Sequence, residues 1–491
     1  MMQLNFRKTF VRSLFLFTYA LMGTFAWSQN IFSGEPVQVV GQMNSYSTAA
    51  SSNSIFRRVS TSSGTPTDGR GQWFKTYNVQ SSGGDFTTIN MAGGGGSGFL
   101  FISGPSGNRF GNKWTFTGVA QAGLNAVNGF SSYNSGNDMG LNMSTAGRYT
   151  FVFNDAGYTL TNSKYYVAYT SAAPVTVARS LQTLNFDRSS SISITTSATP
   201  STGENVFVRY TTASDFSSSN SSSVVQATGS GSSWSATIPS QTIGSTVRYY
   251  VFTSTASSIS SMSEIDKSIS TLNYDDNSGA NYSYTLTSSF TSTQSGNLSS
   301  ASTFGVSQIF SGASYTIANG HTVTLSGNTT IGSLTINSGG NFDNGSSTLT
   351  VNTGSTLANS GNYTASTGTI SFAGTGTITG TWSFNNVILA GGVTFSSGSS
   401  VNANLTINVG GFVNTTAPSY GTSSTLIYNS GTIYGRGTEW SATSGTGYPN
   451  NVQINSGTTL NLGNSGTGTV RQCAGNLTIN SGGTLSMNET G

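Results

Sequence analysis

The sequence contains very little charge. Only 7% of its 491 residues are Asp, Glu, Lys or Arg, whereas an average soluble domain has about 25%. The 18 basic and 15 acidic residues give a net charge of +3 and form no basic block. Nucleic-acid binding relies on clustered Lys and Arg side chains that neutralise phosphates, so we expect no nucleic-acid partner. Gly, Ser, Thr and Asn occupy the polar positions instead.

Cysteine and histidine are each present only once. With Cys473 alone, no disulfide can form within the chain, so stability must come from burial and backbone pairing. We interpret Cys473 as a small side chain within a repeat, because its sequence neighbours supply no base. A metal site or a Ser-His-Asp triad around His321 would need partners that the sequence does not identify. His321 is therefore interpreted as a turn residue.

The N-terminus differs in character from the rest of the chain. Three basic residues, Arg7, Lys8 and Arg12, precede an apolar run at 14–27, and Ala-Trp-Ser occupies 26–28. A run of this length is too short to span a bilayer, which needs about 20 residues, whereas it suits a signal peptide. We predict a signal peptide over residues 1–28 and a secreted or cell-surface protein whose mature chain has no transmembrane helix. A buried N-terminal helix is the alternative.

Short runs of alternating apolar and polar residues follow. Aromatic and β-branched side chains at a period of two, broken by Gly, Asn and Ser, predict a β-sandwich domain over 29–176. Similar runs and a Pro that ends one strand predict a second sandwich, of the immunoglobulin or fibronectin-III type, over 177–286. Residues 287–310 are rich in Ser and Thr and are interpreted as a linker or a cap.

One phrase returns through the last third of the sequence. Leu-Thr-Ile-Asn-Ser-Gly-Gly occurs at 334–340 and 477–483, with close variants at 349–354 and 405–411. A unit of one short strand, an Asn and a Gly turn cannot bury a core alone, so such units must stack. We predict an all-β protein in which a right-handed parallel β-helix over 311–491 follows the two antiparallel sandwiches. A row of small antiparallel sandwiches is the alternative, which the short units disfavour.

The apolar residue that begins each candidate strand gives the repeat length. The steps run from 15 to 26 residues between Leu334, Leu349, Ile370, Val387, Leu405, Leu426, Val452 and Leu477. Because strand side chains alternate, Leu and Ile of each phrase should face the interior and Thr the outside. The Asn residues should occupy one position in successive coils and form a hydrogen-bonded ladder: Asn337, Asn352, Asn408 and Asn480.

The phrases at 315–325, 331–340, 368–374 and 384–389 resemble the β-helical repeats of large secreted or cell-surface proteins of Gram-negative bacteria. Many of those proteins are clients of the type IX secretion system, and their repeats act as stalks, adhesins or spacers. Members of this kind usually end in a sorting domain. The sequence stops at Gly491 without one. The resemblance therefore implies one of two alternatives: the chain is truncated at its C-terminus, or it is not exported beyond the outer membrane.

The predicted second sandwich resembles accessory modules that accompany carbohydrate-active or adhesive domains. The resemblance lies in the runs at 206–211, 234–239 and 247–252. In starch-binding relatives an exposed Trp often follows the first of these strands. The sequence here has Ser-Asp-Phe-Ser at 214–217 instead, which weakens the transfer of sugar binding to this chain.

Parallel β-helices include polysaccharide lyases and glycosidases, so the acids of the repeat region bear on catalysis. From residue 301 onward they are Asp343, Glu439 and Glu489. Glycoside hydrolysis needs two carboxylates at one bond, and calcium-dependent lyases need several acidic ligands and a base. We predict no catalytic residues. Arg436 and Glu439 are close in sequence and are interpreted as a surface ion pair in a loop.

Asp275, Asp276 and Asn277 form the best candidate for a calcium site, since hard cations prefer clustered oxygen ligands. The stretch lacks the Glu that would close an EF-hand loop, and closure of a β-hairpin is the alternative interpretation. No other cofactor is expected.

Together these patterns predict a non-catalytic structural or adhesin-type protein with a β-helical stalk. Its partners would be surface glycans, extracellular matrix or other cells. A carbohydrate-binding accessory region of a larger polysaccharide-active enzyme is the first alternative. A β-helical polysaccharide lyase or glycosidase is the second.

Overall fold

A computed structural model describes residues 37–48, 54–58, 72–103, 110, 112–154, 163–217, 219–463 and 471–487. The predicted signal peptide lies outside these residues. The described chain is almost entirely β-structure, as predicted, and its one α-helix, Glu264–Ile269, has 6 residues. The chain forms two compact units, the first within 1–182, 192–238 and 247–283, and the second within 183–191, 239–246 and 284–491. No helix among the described residues is long and apolar enough to cross a membrane.

The first unit contains a 13-stranded sheet in which most neighbours are antiparallel. Buried aromatic side chains fill its core; for example, the rings of Phe101 and Phe153 stack with centroids 4.7 Å apart. Alternating aromatic and β-branched residues favour such strands because these side chains pack well on a pleated surface. The strands are Val37–Gly41, Ser54–Arg58, Gln72–Gln80, Phe86–Thr87, Ile89–Met91, Phe99–Ser103, Asn112–Thr115, Ala120–Gln121, Val127–Gly129, Ser132–Tyr133, Met139–Met143, Gly147–Asn154 and Lys164–Thr170.

Two smaller antiparallel sheets follow in the sequence. The 4-stranded sheet consists of Val177–Leu184, Ser190–Thr196, Thr228–Ser230 and Ser233–Ile238. The 5-stranded sheet consists of Asn205–Thr211, Ser223–Gln226, Thr246–Ser254, Tyr274–Asp275 and Tyr282–Thr285. The predicted antiparallel strands are therefore present, while their arrangement as two sandwiches stays a prediction.

A buried ionic network fixes the short helix of the first unit. The side chain of Arg209 is fully buried, and its guanidinium lies 2.6 Å from Oε2 of Glu264. Lys267 approaches the other carboxylate oxygen of Glu264 at 2.7 Å. Burial alone would raise the pKa of Glu264, but hydrogen bonds from Lys267 and Ser222 and the charge of Arg209 lower it below its ordinary value. Ser263 caps the helix by accepting a hydrogen bond from the backbone N–H of Asp266.

The second unit contains a parallel β-solenoid, in which sheets run along the coils. Sheet one has 7 strands: Ser289–Thr291, Ser314–Ile317, Leu334–Ile336, Ser355–Asn359, Gly376–Gly380, Gly392–Thr394 and Phe412–Val413. Sheet two has 4 strands: Gly296–Asn297, Thr322–Thr324, Asn341–Asp343 and Asn362–Thr364. Sheet three has 9 strands: Thr329–Ile331, Thr348–Val351, Thr369–Phe372, Ser383–Leu389, Ser400–Asn408, Ser419–Tyr420, Thr425–Asn429, Asn451–Ile454 and Leu477–Ile479. Sheet four has 3 strands: Ile433–Gly435, Thr459–Asn461 and Thr484–Ser486.

The register of sheet three confirms the predicted parallel repeat. The strand starts inferred from the sequence lie side by side in one column: Leu349, Ile370, Val387, Leu405, Leu426, Val452 and Leu477. Inward and outward residues alternate as expected; Leu405 and Ile407 are fully buried, whereas Thr406 is half-buried. Aliphatic side chains that stack from coil to coil therefore form the core of this sheet.

The prediction that Leu334 belongs to the same column as Leu349 is wrong. Its strand belongs to sheet one, where Leu334 pairs with Tyr315 and Leu357. The step of 15 residues to Leu349 is short because it joins two different sides of one coil. The repeated sequence Leu-Thr-Ile-Asn specifies a strand followed by a corner. It occurs at 334–337 in sheet one and at 405–408 in sheet three, so it forms more than one corner of the solenoid. In both places an Asn carbonyl accepts a hydrogen bond from the backbone N–H three residues later, at 2.8 Å for Asn337 and 2.9 Å for Asn408.

The first coil of the solenoid lies within 287–310. Ser289–Thr291 pairs in parallel with the next strand of sheet one. The buried ring of Phe290 stacks on that of Tyr315 with centroids 5.6 Å apart, and Phe304 packs beside Tyr315 at 5.1 Å. The aromatic side chains of this Ser/Thr-rich stretch are thus buried in the core, whereas Val306 is exposed.

Candidate functional site

Side-chain amides form a ladder along one edge of sheet three. Nδ2 of Asn429 donates to Oδ1 of Asn408 at 2.8 Å. Asn455 donates to Asn429 at 3.0 Å, and Asn480 donates to Asn455 at 2.9 Å. Each bond joins one coil to the next, so four coils are linked by the same group. We name the four residues the asparagine ladder.

The ladder confirms the prediction for Asn408 and Asn480 and corrects it for the other two residues. Asn337 lies beyond sheet one and cannot join a ladder on sheet three. Asn352 follows a strand of sheet three, but Ala373 occupies the corresponding position of the next coil. Alanine has no amide to continue the hydrogen bonds. Asn429 and Asn455, which the sequence did not single out, complete the ladder because their coils keep the register.

A glycine turn follows each asparagine of the ladder. Gly410, Gly431, Gly457 and Gly482 have φ values of 78°, 65°, 77° and 81°. In this left-handed region a Cβ would be strained, and glycine has none. The corners therefore stack in one conformation, which keeps the chain in register on both sides of the turn.

Exposed apolar side chains lie just past this turn. The backbone of Phe412 is in register with Gly392 of the preceding coil, and a Cβ built on Gly392 would lie 2.4 Å from Cζ of Phe412. The Phe412 ring thus covers a glycine, yet 45% of the residue remains exposed. Ile433 occupies the equivalent place four residues after its asparagine and is 76% exposed. Val409, within the turn, is 67% exposed and lies 4.0 Å from the Cβ position of Gly431.

We name this surface the asparagine corner, and define it as the asparagine ladder together with Val409, Phe412 and Ile433. All of its residues are uncharged. Each ladder amide that donates uses one of its two N–H groups in the ladder, so the other is available for a further hydrogen bond. The corner therefore presents a strip of amides beside a strip of apolar side chains.

Glu439 occupies a second site within the solenoid, in the 3-10 helix Thr438–Trp440. The prediction of a surface ion pair with Arg436 is wrong, because Glu439 is fully buried. Its Oε1 accepts hydrogen bonds from the backbone N–H of Gly437 at 2.7 Å and from the hydroxyl of Tyr428 at 3.1 Å. Arg436 instead donates to the carbonyl of Trp440 at 2.8 Å.

The surroundings of Glu439 disfavour its charge. Oε2 of Glu439 and the hydroxyl of Tyr434 are both buried without a hydrogen-bond partner. Burial raises the pKa of Glu439 above its ordinary value, although the hydrogen bonds to Gly437 and Tyr428 and the charge of Arg436 oppose this shift. Burial also raises the pKa of Tyr428 well above its ordinary value. This cluster holds one carboxyl group, so it lacks the carboxylate pair of a glycosidase.

Asp275 and its neighbours, the calcium candidate, lie in a turn of the first unit. The carboxylate of Asp275 accepts hydrogen bonds from the backbone N–H of Arg179 at 2.8 Å and from the hydroxyl of Tyr282 at 2.9 Å. Asp276 accepts from the backbone N–H of Gly279 at 3.0 Å. The described residues contain no cluster of three His, Cys, Asp or Glu residues that could hold a metal ion.

The hairpin alternative for this stretch is wrong. Tyr274–Asp275 pairs with Thr246–Ser254, and so does Tyr282–Thr285, so the two flanking strands share one partner instead of pairing with each other. The residues between them form a loop in which Asn277 has a φ of 57°. The backbone N–H of Asn277, the third calcium candidate, donates to Oδ1 of Asp275 at 3.2 Å.

His321 follows a turn, where its Nδ1 lies 2.9 Å from Oγ of Ser292. The same hydroxyl accepts a hydrogen bond from the backbone N–H of Ala318 at 2.9 Å. Ser292 is 3% exposed, and its hydroxyl joins two neighbouring coils. His321 and Ser292 therefore help to hold neighbouring coils together.

Cys473 lines a cavity of about 330 Å³ near the last described coils, together with Trp440, Arg471, Leu477 and Met487. Glu489, the third acid of the repeat region, lies outside the described residues. The coil geometry brings Cys473 and Arg471 to one cavity.

Phe412 and Ile433 were not singled out by the sequence. A usable signal was the position four residues after each repeat asparagine, which is apolar in these two coils and Thr in the next two, Thr459 and Thr484. An outward position that changes from Thr to Phe or Ile breaks the polar pattern of the surface.

Comparison with known protein families, with curated proteins and with solved structures found no match.

Proposed function

We propose that this protein is a non-catalytic, secreted or cell-surface protein of the structural or adhesin type, with the solenoid as its stalk. The observation that carries the proposal is the continuous parallel pairing of sheet three from Thr329–Ile331 to Leu477–Ile479, which persists across a register shift between Phe384 and Asn386. Each of these strands is hydrogen-bonded to its neighbours along the solenoid axis. Such a stack is stiff along its length and presents the same side-chain positions at each coil.

The chemistry of the solenoid surface supports this role. The outward column of sheet three carries hydroxyl or amide groups at six of its eight positions, with Ile388 and Ile427 as the exceptions. The polar members are Thr330, Thr350, Ser371, Thr406, Gln453 and Thr478. A low-charge surface of this kind offers hydrogen bonds without attracting ions or charged polymers. The proposal further includes a signal peptide at 1–28, two sandwich modules at 29–176 and 177–286, a right-handed coil, and export of the type IX kind.

Two experiments test the proposal, one on the localisation of the protein and one on its catalytic activity. Intact cells that produce the protein are labelled with an antibody against the solenoid, with an antibody against a cytoplasmic protein as control. We expect labelling of intact cells or recovery from the culture medium. The purified full chain is also incubated with neutral and uronic-acid polysaccharides, and no new reducing ends or unsaturated products are expected. Retention inside cells, or depolymerisation of any polymer, would overturn the proposal.

A further inference from the structure

We propose that the asparagine corner binds a neutral polysaccharide, with sugar rings packed on Phe412 and hydroxyl groups bonded to the ladder amides. The inference rests on the proposed function, because it names the class of partner that the stalk would meet. It starts from the distribution of exposed apolar groups. Three of the large apolar side chains that are exposed in the described residues, Val409, Phe412 and Ile433, lie at this one corner on consecutive coils.

The exposure of Phe412 costs free energy unless a partner covers it. An aromatic ring gains most from burial of its face, and one part of this ring already lies over Gly392. The rest remains open. Val409 of the same coil and Ile433, at the equivalent position of the next coil, are exposed by 67% and 76%. Grouped exposed apolar residues with a polar border mark binding surfaces more often than single ones do.

The polar border is the asparagine ladder. Adjacent strands of a sheet are about 4.8 Å apart, so the four amides extend over about 14 Å. The oxygens of Asn408, Asn429 and Asn455 already accept ladder bonds, and Oδ1 of Asn455 accepts a second one from Gln453 at 2.8 Å. The ladder therefore offers mainly the second N–H of each donating amide, which suits a hydroxyl group as the acceptor. Direct bonds between the amides hold their orientation, so little side-chain entropy remains to be lost on binding.

The combination selects a sugar polymer as the occupant. A pyranose ring has an apolar face of C–H groups and an edge of hydroxyls, which matches an apolar strip beside an amide strip. A regular polymer also repeats its groups along its length, as the corner does from coil to coil. The corner residues carry no charge that would pair with sulfate or uronate groups, so the matching polymer is uncharged.

The test measures binding of the full chain to laminarin, dextran and galactomannan by affinity electrophoresis and calorimetry. Polygalacturonate and heparin serve as anionic probes. We expect at least one neutral polymer to bind, and Phe412→Ala to weaken that binding by about tenfold. Asn455→Ala, which interrupts the ladder, should weaken it by a similar factor.

Two control variants match these changes elsewhere in the second unit. Val306→Ala removes another exposed apolar side chain, at a residue that is 40% exposed. Asn402→Ala removes an exposed amide from the other end of Ser400–Asn408. Both should leave binding unchanged. Circular dichroism and the melting temperature verify that each variant is folded.

Several outcomes would overturn the inference. They are an absence of binding to all three neutral polymers, binding to the anionic probes alone, or equal losses in the control variants. Self-association of the full chain that disappears in Phe412→Ala would identify a second copy as the occupant and would also overturn it. Surface labelling and the absence of depolymerisation do not depend on Phe412, so the proposed function can survive a failure of the inference.

Discussion

The amide of Asn429 donates to Asn408 at 2.8 Å and accepts from Asn455 at 3.0 Å. One side chain thereby joins three coils of the solenoid. Its neighbours in the chain, Tyr428 and Ser430, are buried. The ladder lies beside buried core residues and is itself part of the asparagine corner. It therefore links the stability of the stack to the shape of its surface.

Removal of this amide should destabilise the local coils. Asn429→Ala removes two ladder bonds, and a neutral hydrogen bond contributes about 0.5–1.5 kcal/mol, so a loss of about 1–3 kcal/mol is expected. Asn480→Ala removes one described bond and should cost about half as much. Hydrogen exchange of the backbone amides of Thr425–Asn429 measures the effect. Equal losses in the two variants would contradict the ladder as the cause.

Gly431→Ala tests the stacked corners. The φ of Gly431 is 65°, and an L-residue in this region costs about 1–2 kcal/mol. Gly431→Asn should cost less, since Asn tolerates the left-handed region better than Ala does. Gly327→Ala is the matched control, because the space around Gly327 is open and its φ is not in this region. Chemical denaturation compares the variants, and a full loss in the control would refute the backbone explanation.

The buried column of sheet three should carry much of the stability of the second unit. Leu405 is fully buried between Val387 and Leu426 of the adjacent coils. Leu405→Ala removes buried surface and leaves a cavity, so we expect a loss of about 2–5 kcal/mol. The outward neighbour provides the contrast, and Thr406→Ala should change stability by less than about 0.5 kcal/mol. Similar effects at both positions would mean that the strand does not alternate as described.

The burial of Glu439 should make the second unit less stable as the pH rises above 4.5. Its pKa is raised from the ordinary 4.5 in the folded chain, so the folded state holds this proton more tightly than the unfolded state does. The stability from protonated Glu439 is therefore present below pH 4.5 and is lost as the pH rises through the folded pKa. Glu439→Gln should raise the melting temperature at pH 8 and change it little at pH 4.

The groups that face Glu439 must be considered in this experiment. They are Arg436 and the hydroxyls of Tyr420, Tyr428 and Tyr434. Burial raises the pKa of these tyrosines, so they stay protonated in the range from pH 4 to 8. Asp343→Asn is the control, since it removes the same charge from a solenoid carboxylate that is half-buried. A pH dependence that persists in Glu439→Gln but disappears in Asp343→Asn would show that another group causes it.

The parallel repeat could be predicted from the sequence because one strand face must be apolar in each coil. The column from Leu349 to Leu477 follows directly from that requirement. Leu334 could not be assigned in the same way, because the phrase that contains it specifies a strand and a corner without stating which corner. That choice depends on the lengths of the intervening segments and on the pairing of the whole coil.

The site was harder to predict for a related reason. The sequence placed Glu439 at the surface because charged residues are usually exposed. Its burial depends on Tyr420, Tyr428 and Tyr434, which come from separate strands and meet only in the folded coil. Likewise, Phe412 and Ile433 are 21 positions apart in the sequence, and only the pairing of Asn408 with Asn429 places them at equivalent positions of adjacent coils.

The number of residues per coil varies, although the column residues of successive coils pair with one another. The column residues Val387, Leu405, Leu426 and Val452 pair directly, and the last of these steps includes the segment with Thr438–Trp440. Extra residues thus leave the stack sideways at a corner and return to the next strand. In this coil the extra segment packs inward, because Glu439 and Trp440 are buried and Glu439 accepts a hydrogen bond from Tyr428. A change in the length of one coil during evolution or engineering can therefore preserve the pairing of the strands, but it must supply its own packing against the interior.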